Sequence, residues 1–470
     1  MDLLVIGGGV AGTAAAAHAA ARGASVAVVE KDDHLGGSGA LSAGILWTAP
    51  DFETLRRICP GGDPDLGRTL VEGFDAAVEG VREDGIEVSD RWHGQMGFGV
   101  AHRIDIHGLL DRWRRRIESA GGRIVLHSAA RRLIAGDGRV GGAEVEGPGG
   151  SERIDAAATL LATGGFQGDG ELVRSLIGEG AERIIVRSNP NSTGDGLRMG
   201  RDAGAALSGS LDSFYGHLLP SPVDDLRAED FLPLTQYHSN ACVLVNRFGR
   251  RFTDESRGDE VSNQGTLRQR GARAYLLCDE AVRTAHAIKA PYPHGQVVDR
   301  FAAAAEAGGR IATADTLDAL VGEVERWGVN GPSLRETLTR YEAAAAGADV
   351  PLDAPLPAAP QPLREPPFHA LEVQPSITFT FGGLRTDADG RVLDRAGEPL
   401  PGLLAAGADM GGLQDTGYVG GLVLGLVFGP RAADAALGSS TESQHSSGDG
   451  DDNAEKRGGR AGTEEVAAGG

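Results

Sequence analysis

The sequence predicts an α/β protein whose parallel-sheet domain is split by an inserted α+β domain. Three observations carry that prediction. First, short Val/Leu/Ile runs alternate with Ala-rich stretches from the N-terminus, as in LLVIG, then residues 13–22, then SVAVVE. That alternation is the rhythm of a βαβ unit. Second, from about residue 210 the composition changes, with prolines, histidines and tyrosines followed by helical patterns over 316–327 and 333–345. Third, after the proline-rich APLPAAPQPLREPP, short apolar runs and glycine pairs return, so the first domain resumes. The expected boundaries are 1–209 and 366–437 for the split domain, 210–365 for the insert, and 438–470 for a tail with too little apolar content to order itself.

Composition supports a large core and narrows the partners. Of 470 residues, 41% are hydrophobic, enough to outweigh 72 glycines and 22 prolines and exclude a wholly disordered chain. The formal charge is −21, from 66 acidic against 45 basic residues. A field of that sign repels phosphate backbones and argues against a nucleic-acid partner. Cys59, Cys242 and Cys278 stand far apart, without disulfide-framework or zinc-ligand spacing. The N-terminal apolar run has no basic segment before it and leads straight into glycines, and no run of 18 or more apolar residues follows. A soluble, cytoplasmic protein without a membrane partner is expected.

The first apolar run, LLVIG, opens the N-terminal βαβ unit and sets a mechanism. Gly7, Gly9 and Gly12 follow it in G-x-G-x-x-G spacing, a helix opens near Thr13, and Glu30 closes the next strand, SVAVVE. This is the context of Rossmann-like dinucleotide binding. Gly7 makes the tight turn, Gly9 lets backbone approach a pyrophosphate, and Gly12 permits close packing of the helix, whose N-terminus favours the phosphate charge. Glu30 is placed to accept hydrogen bonds from ribose hydroxyls, and an acid there repels a 2′-phosphate. Amphipathic helices are expected next, over 65–81 and 106–120.

Between Glu30 and those helices, HLGGSGALSAGILW crowds Gly36, Gly37, Ser38, Gly39, Ser42 and Gly44 together. From GGGVAG through this loop the chain resembles the FAD-binding segment of the succinate dehydrogenase and fumarate reductase flavoprotein superfamily. It is most similar to the 3-ketosteroid dehydrogenase branch, with local strings that also resemble tricarballylate dehydrogenase. LLATGGF, NSTGDGLRMGRDAGA, VNRFGRRFTDES and FGGLRTDADGRVLD…GLLAAGAD…GYVGGLVLGLVFG continue the likeness in order, over nearly the whole chain before the tail.

The resemblance implies a split FAD-binding domain with the insert as a cap over the flavin. Besides Gly7, Gly9, Gly12 and Glu30, it implies FAD contacts at Ala11, Lys31, Gly37, Ser38, Ser42, Gly44, Thr163, Gly164, Asp195, Leu422 and Val423. Ala406, Gly407 and Asp409 are expected along the ribityl chain, with Gly420 and Gly421 opening a helix toward the flavin pyrimidine. Relatives that bind FAD covalently use a histidine in the loop after Glu30. SGALSAG has none and His34 comes too early, so non-covalent FAD is expected.

The same resemblance implies hydride exchange with a C–C bond next to an electron-withdrawing group. Tyr418 stands where fumarate reductases carry an arginine and ketosteroid dehydrogenases a ketone-binding tyrosine. A phenol donates one hydrogen bond to an oxygen, whereas arginine grips a carboxylate with two. Thr378 and Phe379 replace the histidines of a second carboxylate anchor, which disfavours succinate and fumarate. His217 falls near the family's substrate-facing histidine, with Tyr215, Tyr237 and His238 in the same aromatic-rich stretch. For proton transfer, Arg257 lies one position from the family's arginine and requires a loop shift, while Asp259 aligns with a tyrosine base. Asp254 and Glu255 are read as bridges between the domains.

The expected function is FAD-dependent dehydrogenation or reduction of a C–C bond alpha,beta to a carbonyl, on an enone, ketone or monocarboxylate. The expected partners are a small-molecule substrate and an electron donor or acceptor of unknown identity. Flavin-dependent oxidation of a C–N or C–OH group, and a flavin-binding electron-transfer subunit, remain open alternatives.

Overall fold

The computed structural model describes residues 1–223 and 226–446. Its central sheet has the strand order Arg391–Leu393, Pro399–Ala405, Ala158–Leu161, Leu3–Ile6, Val26–Val29, Arg123–Val125. Neighbours are parallel except the antiparallel edge strand Arg391–Leu393. The split domain is thus real: its sheet joins strands from both ends of the chain.

Period-two alternation sends side chains of the central strand to two cores. Leu3 and Val5 pack with the helices Val10–Ala21, Ile106–Ser119 and the C-terminal helix. Leu4 and Ile6 pack under a three-stranded antiparallel layer (Ala129–Gly136, Arg139–Gly147, Gly150–Asp155) through Leu133, Val140, Ala143 and Val145. Small residues bring the first and last helices close: a Cβ on Gly425 would lie 2.8 Å from Val10 Cγ1, and one on Gly429 2.6 Å from the Ala11 carbonyl. That contact places the N-termini of both helices on the same side of the sheet.

The insert is built on a second sheet around Phe368–Ile377, which pairs antiparallel with Ala274–Asp279, Ile311–Ala314 and Leu218–Pro220. Ile185–Val186 joins it in parallel, and Val243–Val245 pairs with Ala274–Asp279. The cap sheet therefore extends on both sides of the expected 210–365, taking in 185–186 and 368–377. Ile185–Val186 is a short apolar pair and Phe368–Ile377 a wholly buried strand that includes His369, Glu372, Gln374 and Ser376, and pairing is what assigns both to the cap sheet.

Expected helices over 65–81, 106–120, 316–327 and 333–345 appear as Pro64–Glu83, Ile106–Ser119, Leu317–Arg326 and Gly331–Ala345. Asp63, Asp105, Thr316 and Asn330 each cap one with a side-chain oxygen. The last helix, Leu422–Ser446, runs nine residues into the expected tail at 438–470, and the remainder of that tail lies outside the described residues. Among the described residues no helix is long and apolar enough to cross a membrane.

Candidate active site

In an open parallel sheet the ligand crevice lies beyond the carboxyl ends of the strands. Here the residues that follow four of those strands, Gly7, Glu30, Ala162 and Ala406, line one cavity of ≈ 570 Å³. Gly9, Val10 and Ala11 bring the N-terminus of the first helix to it, and no side chain caps that helix. Its first-turn amides thus face the cavity as uncommitted donors. Gly421 and Leu422 bring the N-terminus of the last helix to the same space.

The fingerprint glycines divide by role. A Cβ at Gly7, where φ is +103°, would lie 2.2 Å from the Ala162 carbonyl, and one at Gly12 would lie 2.0 Å from the Gly7 carbonyl. Those two serve chain packing. A Cβ at Gly9 would meet nothing within 4 Å and would project into space left open beside the helix. Open backbone, unclaimed amides and an acid at the second strand's end suit the pyrophosphate and ribose of a dinucleotide such as FAD. Glu30 spends one acceptor position of each oxygen on the Gly8 and Asp32 amides (2.7 and 2.8 Å) and keeps the others.

Of the other residues implied as FAD contacts, Ala11, Lys31, Gly37, Ser38, Ser42, Thr163, Gly164 and Leu422 line the cavity. Gly12, Gly44, Asp195, Asp409, Gly420 and Val423 stand behind that wall. Asp195 holds Lys31 at 2.7 Å. Gly44 and Gly420 turn against the Ile104 and Trp47 carbonyls, and Val423 is core. Asp409, expected along the ribityl chain, instead accepts the Thr163 amide and, at 3.1 Å, the Thr163 hydroxyl. Burial pushes its carboxyl up to about 7, against those two hydrogen bonds. It fixes a cavity-lining residue from the rear. His34 is exposed, bonded to Asp33 and outside the cavity lining.

The other end of the cavity is aromatic. Trp47, Tyr215, Tyr418, Phe379 and Phe381 cluster there, and the first four line the cavity itself. The rings of Tyr215 and Tyr418 stack with centroids 3.5 Å apart and planes at 17°. Burial pushes both phenols up, so both are neutral donors. The Tyr418 hydroxyl lies among the Trp47 indole, the Tyr215 hydroxyl and the Gly421 backbone, each of which pulls the other way.

Tyr215 lies on the short strand Phe214–Tyr215, paired with Phe379–Thr380. His217, two residues on and wholly buried, does not line the cavity but stands behind Tyr215. Its Nε2 meets the Tyr215 hydroxyl at 2.6 Å, and its Nδ1 meets Asp259 Oδ2 at 2.5 Å. Burial drives the imidazole well below its usual range, so it is neutral. Tyr237 and Thr378 also line the cavity, whereas His238 is buried elsewhere and held down to about 3 by desolvation.

Arg257 sits exposed on the turn Glu255–Arg257, off the cavity lining, so the expected shift into the site is not seen. Glu255 pairs instead with the buried Arg251 inside the cap rather than across the domains. Besides Lys31, a second cation reaches the cavity, Arg187, which no motif in the sequence singles out. It is 8% exposed, donates to the Phe231 carbonyl at 3.2 Å, and has no ion pair among the described residues. Its signal was weak because it stands alone in a polar stretch, Arg187-Ser188-Asn189.

A family model described as FAD binding domain matches residues 2–422. Fumarate reductase (cytochrome) of Shewanella frigidimarina is 29% identical over 474 residues, covering 93% of this chain and 77% of that protein. The 4-oxocyclohexanecarboxylate 2-dehydrogenase of Sinomonas cyclohexanicum is 27% identical over 557 residues, covering 93% of this chain and 95% of that protein. In fold, the crystal structure of 3-ketosteroid delta1-dehydrogenase from Sterolibacterium denitrificans matches with a TM-score of 0.73 at 20% identity, covering 93% of this chain and 99% of that one.

Proposed function

The chain belongs to the FAD binding domain family, and from that membership we propose that it dehydrogenates or reduces a C–C bond alpha,beta to a carbonyl, with Tyr418 polarising the carbonyl oxygen. The observation that carries this reading is one cavity with the first helix's N-terminus and the Gly9 opening at one side, and the stacked Tyr215–Tyr418 pair beside the last helix's N-terminus at the other. FAD, when bound, supplies the hydride acceptor or donor. Gly9, Glu30, Lys31, Ser38, Thr163 and Leu422 would hold it, without a covalent bond from His34.

The chain's own residues supply the rest. Tyr418 donates one hydrogen bond to the substrate oxygen, and the aromatic cluster excludes water, which strengthens that bond. Arg187 adds a buried cation beside Thr378 and Phe231. A buried cation with no direct ion pair among the described residues, only the Asp259 carboxyl in its field, is stabilised further by an anionic ligand. The favoured substrate is therefore a ketone that also bears a carboxylate. The ketone faces Tyr418 and the acid faces Arg187. Replacing Arg187 with Met removes a charge-assisted hydrogen bond worth about 1.5–3 kcal/mol, so KM for an acidic substrate should rise about 10- to 100-fold. The KM of an uncharged enone should change little in the same assay.

The test is anaerobic. The purified yellow protein is photoreduced and then offered simple enones, fumarate and unsaturated keto acids, and the oxidised protein is offered 4-oxocyclohexanecarboxylate. Reoxidation of the reduced protein by an unsaturated carbonyl compound, or bleaching of the oxidised flavin band by 4-oxocyclohexanecarboxylate, supports the reading. A protein that neither purifies with FAD nor takes it up on reconstitution sinks it. Acid precipitation should leave the flavin in the supernatant; flavin retained on the pellet would overturn the non-covalent assignment.

A further inference from the structure

We propose that Tyr215 is the proton-transfer residue of this site and that His217 and Asp259 position and charge it as a buried relay; this rests on the reaction proposed above. The geometry is continuous. Tyr215 borders the cavity, its hydroxyl meets His217 Nε2 at 2.6 Å, His217 Nδ1 meets Asp259 Oδ2 at 2.5 Å, and Asp259 Oδ1 accepts from Ser239 Oγ at 2.7 Å. Two elements deliver the tyrosine, histidine and aspartate. Tyr215 and His217 alternate along one extended segment, so both face the same way. That segment is held by Tyr215 O accepting from the Thr378 amide and by His217 O accepting from Ser376 Oγ, both at 2.7 Å. Asp259 opens the helix Asp259–Leu267 immediately after Gly258, whose φ of +118° turns the chain into the core.

Hydrogen-bond bookkeeping assigns the direction of each proton. The Asp259 carboxylate accepts a hydrogen bond from the Ser239 hydroxyl on one oxygen and offers the other as acceptor to His217 Nδ1–H. The neutral imidazole then has its lone pair on Nε2, aimed at Tyr215, and the phenol donates to it. The Tyr215 oxygen keeps its lone pairs, one side facing the Tyr418 hydroxyl and the other the cavity. The two stacked tyrosines are therefore not equivalent: Tyr418 presents a proton to the substrate, and Tyr215 presents a base.

In the dehydrogenation direction the α-C–H bond breaks and its electron pair stays on carbon as the enolate, whose oxygen Tyr418 holds. The substrate proton joins the Tyr215 oxygen as the Tyr215 proton moves to His217 Nε2, giving an imidazolium beside the Asp259 carboxylate. In reduction the same two protons move back. The logic is that of a nucleophile activated through a histidine oriented by an acid, with a phenol at its head. Ser239 is wholly buried and closes the far end, so protons enter and leave through Tyr215 on the cavity side.

Asp259 sets the pH dependence. Its neighbours are His217, Ser239, the Leu218 backbone, Arg187, Arg300 and the buried Glu260, with Tyr237 packed edge-on against the His217 ring. Burial pushes the Asp259 carboxyl up to about 7, and Glu260 likewise to about 7. Only the Asp259 carboxylate supports the Nε2 lone pair, so α-proton abstraction rises with pH through about 7.

The first readout needs no turnover. In histidine-selective 15N NMR of the FAD-loaded protein at pH 8, the resonance missing from His217→Gln should be a neutral imidazole protonated on Nδ1. An Nε2–H tautomer or an imidazolium overturns the relay. The second readout is the rate of flavin reduction by 4-oxocyclohexanecarboxylate. Tyr215→Phe should slow it by about 100-fold or more with KM kept. Asp259→Asn should also lower kcat and flatten the pH rise, whereas Glu260→Gln keeps that rise and Asp259→Glu restores part of the rate. A Tyr215→Phe rate within about threefold of wild type overturns the assignment. If the wild type is reduced by no carbonyl compound, that failure falls on the proposed reaction, and the tautomer of His217 still decides the relay.

Discussion

Gly9→Val should leave the protein folded and nearly as stable while abolishing most of its affinity for FAD. The backbone at Gly9 has φ −70°, open to any residue, and an added Cβ meets no atom within 4 Å. The substitution costs the apo-protein at most a fraction of a helix cap, a shift of about 2 °C in Tm. The same side chain occupies the space beside the uncapped amides of the first helix, where a pyrophosphate approaches backbone closely. Loss of that approach should weaken binding by about 100-fold or more, or about 2.7 kcal/mol. Gly12→Ala is the contrast: its Cβ would lie 2.0 Å from the Gly7 carbonyl, so it should destabilise the chain with or without cofactor. Thermal unfolding of the apo forms, paired with flavin-fluorescence titration, separates the two. Unaltered FAD affinity in Gly9→Val would move the cofactor away from the fingerprint.

What the sequence made legible was local, and what it hid was pairing over distance. Gly7, Gly9, Gly12 and Glu30 sit within one βαβ unit, so spacing alone reads their roles. The helices at 64–83 and 106–119 announce themselves by apolar period and by the caps Asp63 and Asp105. The strand Phe368–Ile377 is different: ten buried residues read the same in either sheet, and its partners Leu218–Pro220 and Ala274–Asp279 lie far away in the chain. Asp409 is expected along the ribityl chain by family resemblance, yet its partner is the Thr163 backbone 246 residues earlier. His217 and Asp259 are 42 residues apart, and nothing in either neighbourhood declares that they share a proton. Arg257 was favoured by alignment with an arginine motif, but a 3-10 turn carries its side chain outward while Asp259, two residues on, enters the core. Chemistry in this site is thus assembled by the cap's folding rather than written in contiguous motifs.

Tyr418→Phe should lower kcat by about 10- to 1000-fold while changing KM little, the range expected when one donor to a developing oxyanion is removed. The substitution deletes one hydroxyl and keeps the ring, so the stack on Tyr215 at 3.5 Å and the edge contact with Trp47 at 5.1 Å persist. Packing alone therefore predicts a near-wild-type rate, and a rate of that size would assign Tyr418 to packing. The electrostatic account predicts more, because the hydroxyl acts in a water-excluded cluster. A hydrogen bond to a carbonyl strengthens as the oxygen gains charge, so its loss is felt in turnover more than in binding. Gly421 bears on the same point: an ideal Cβ there would lie 3.3 Å from the Tyr418 oxygen, which shows how closely the helix N-terminus approaches that hydroxyl. The positive end of Leu422–Ser446 stabilises negative charge beside it, so the donor and the helix act on the same developing charge. Removing the donor leaves the helix term in place, and a residual rate well above zero is part of the expectation.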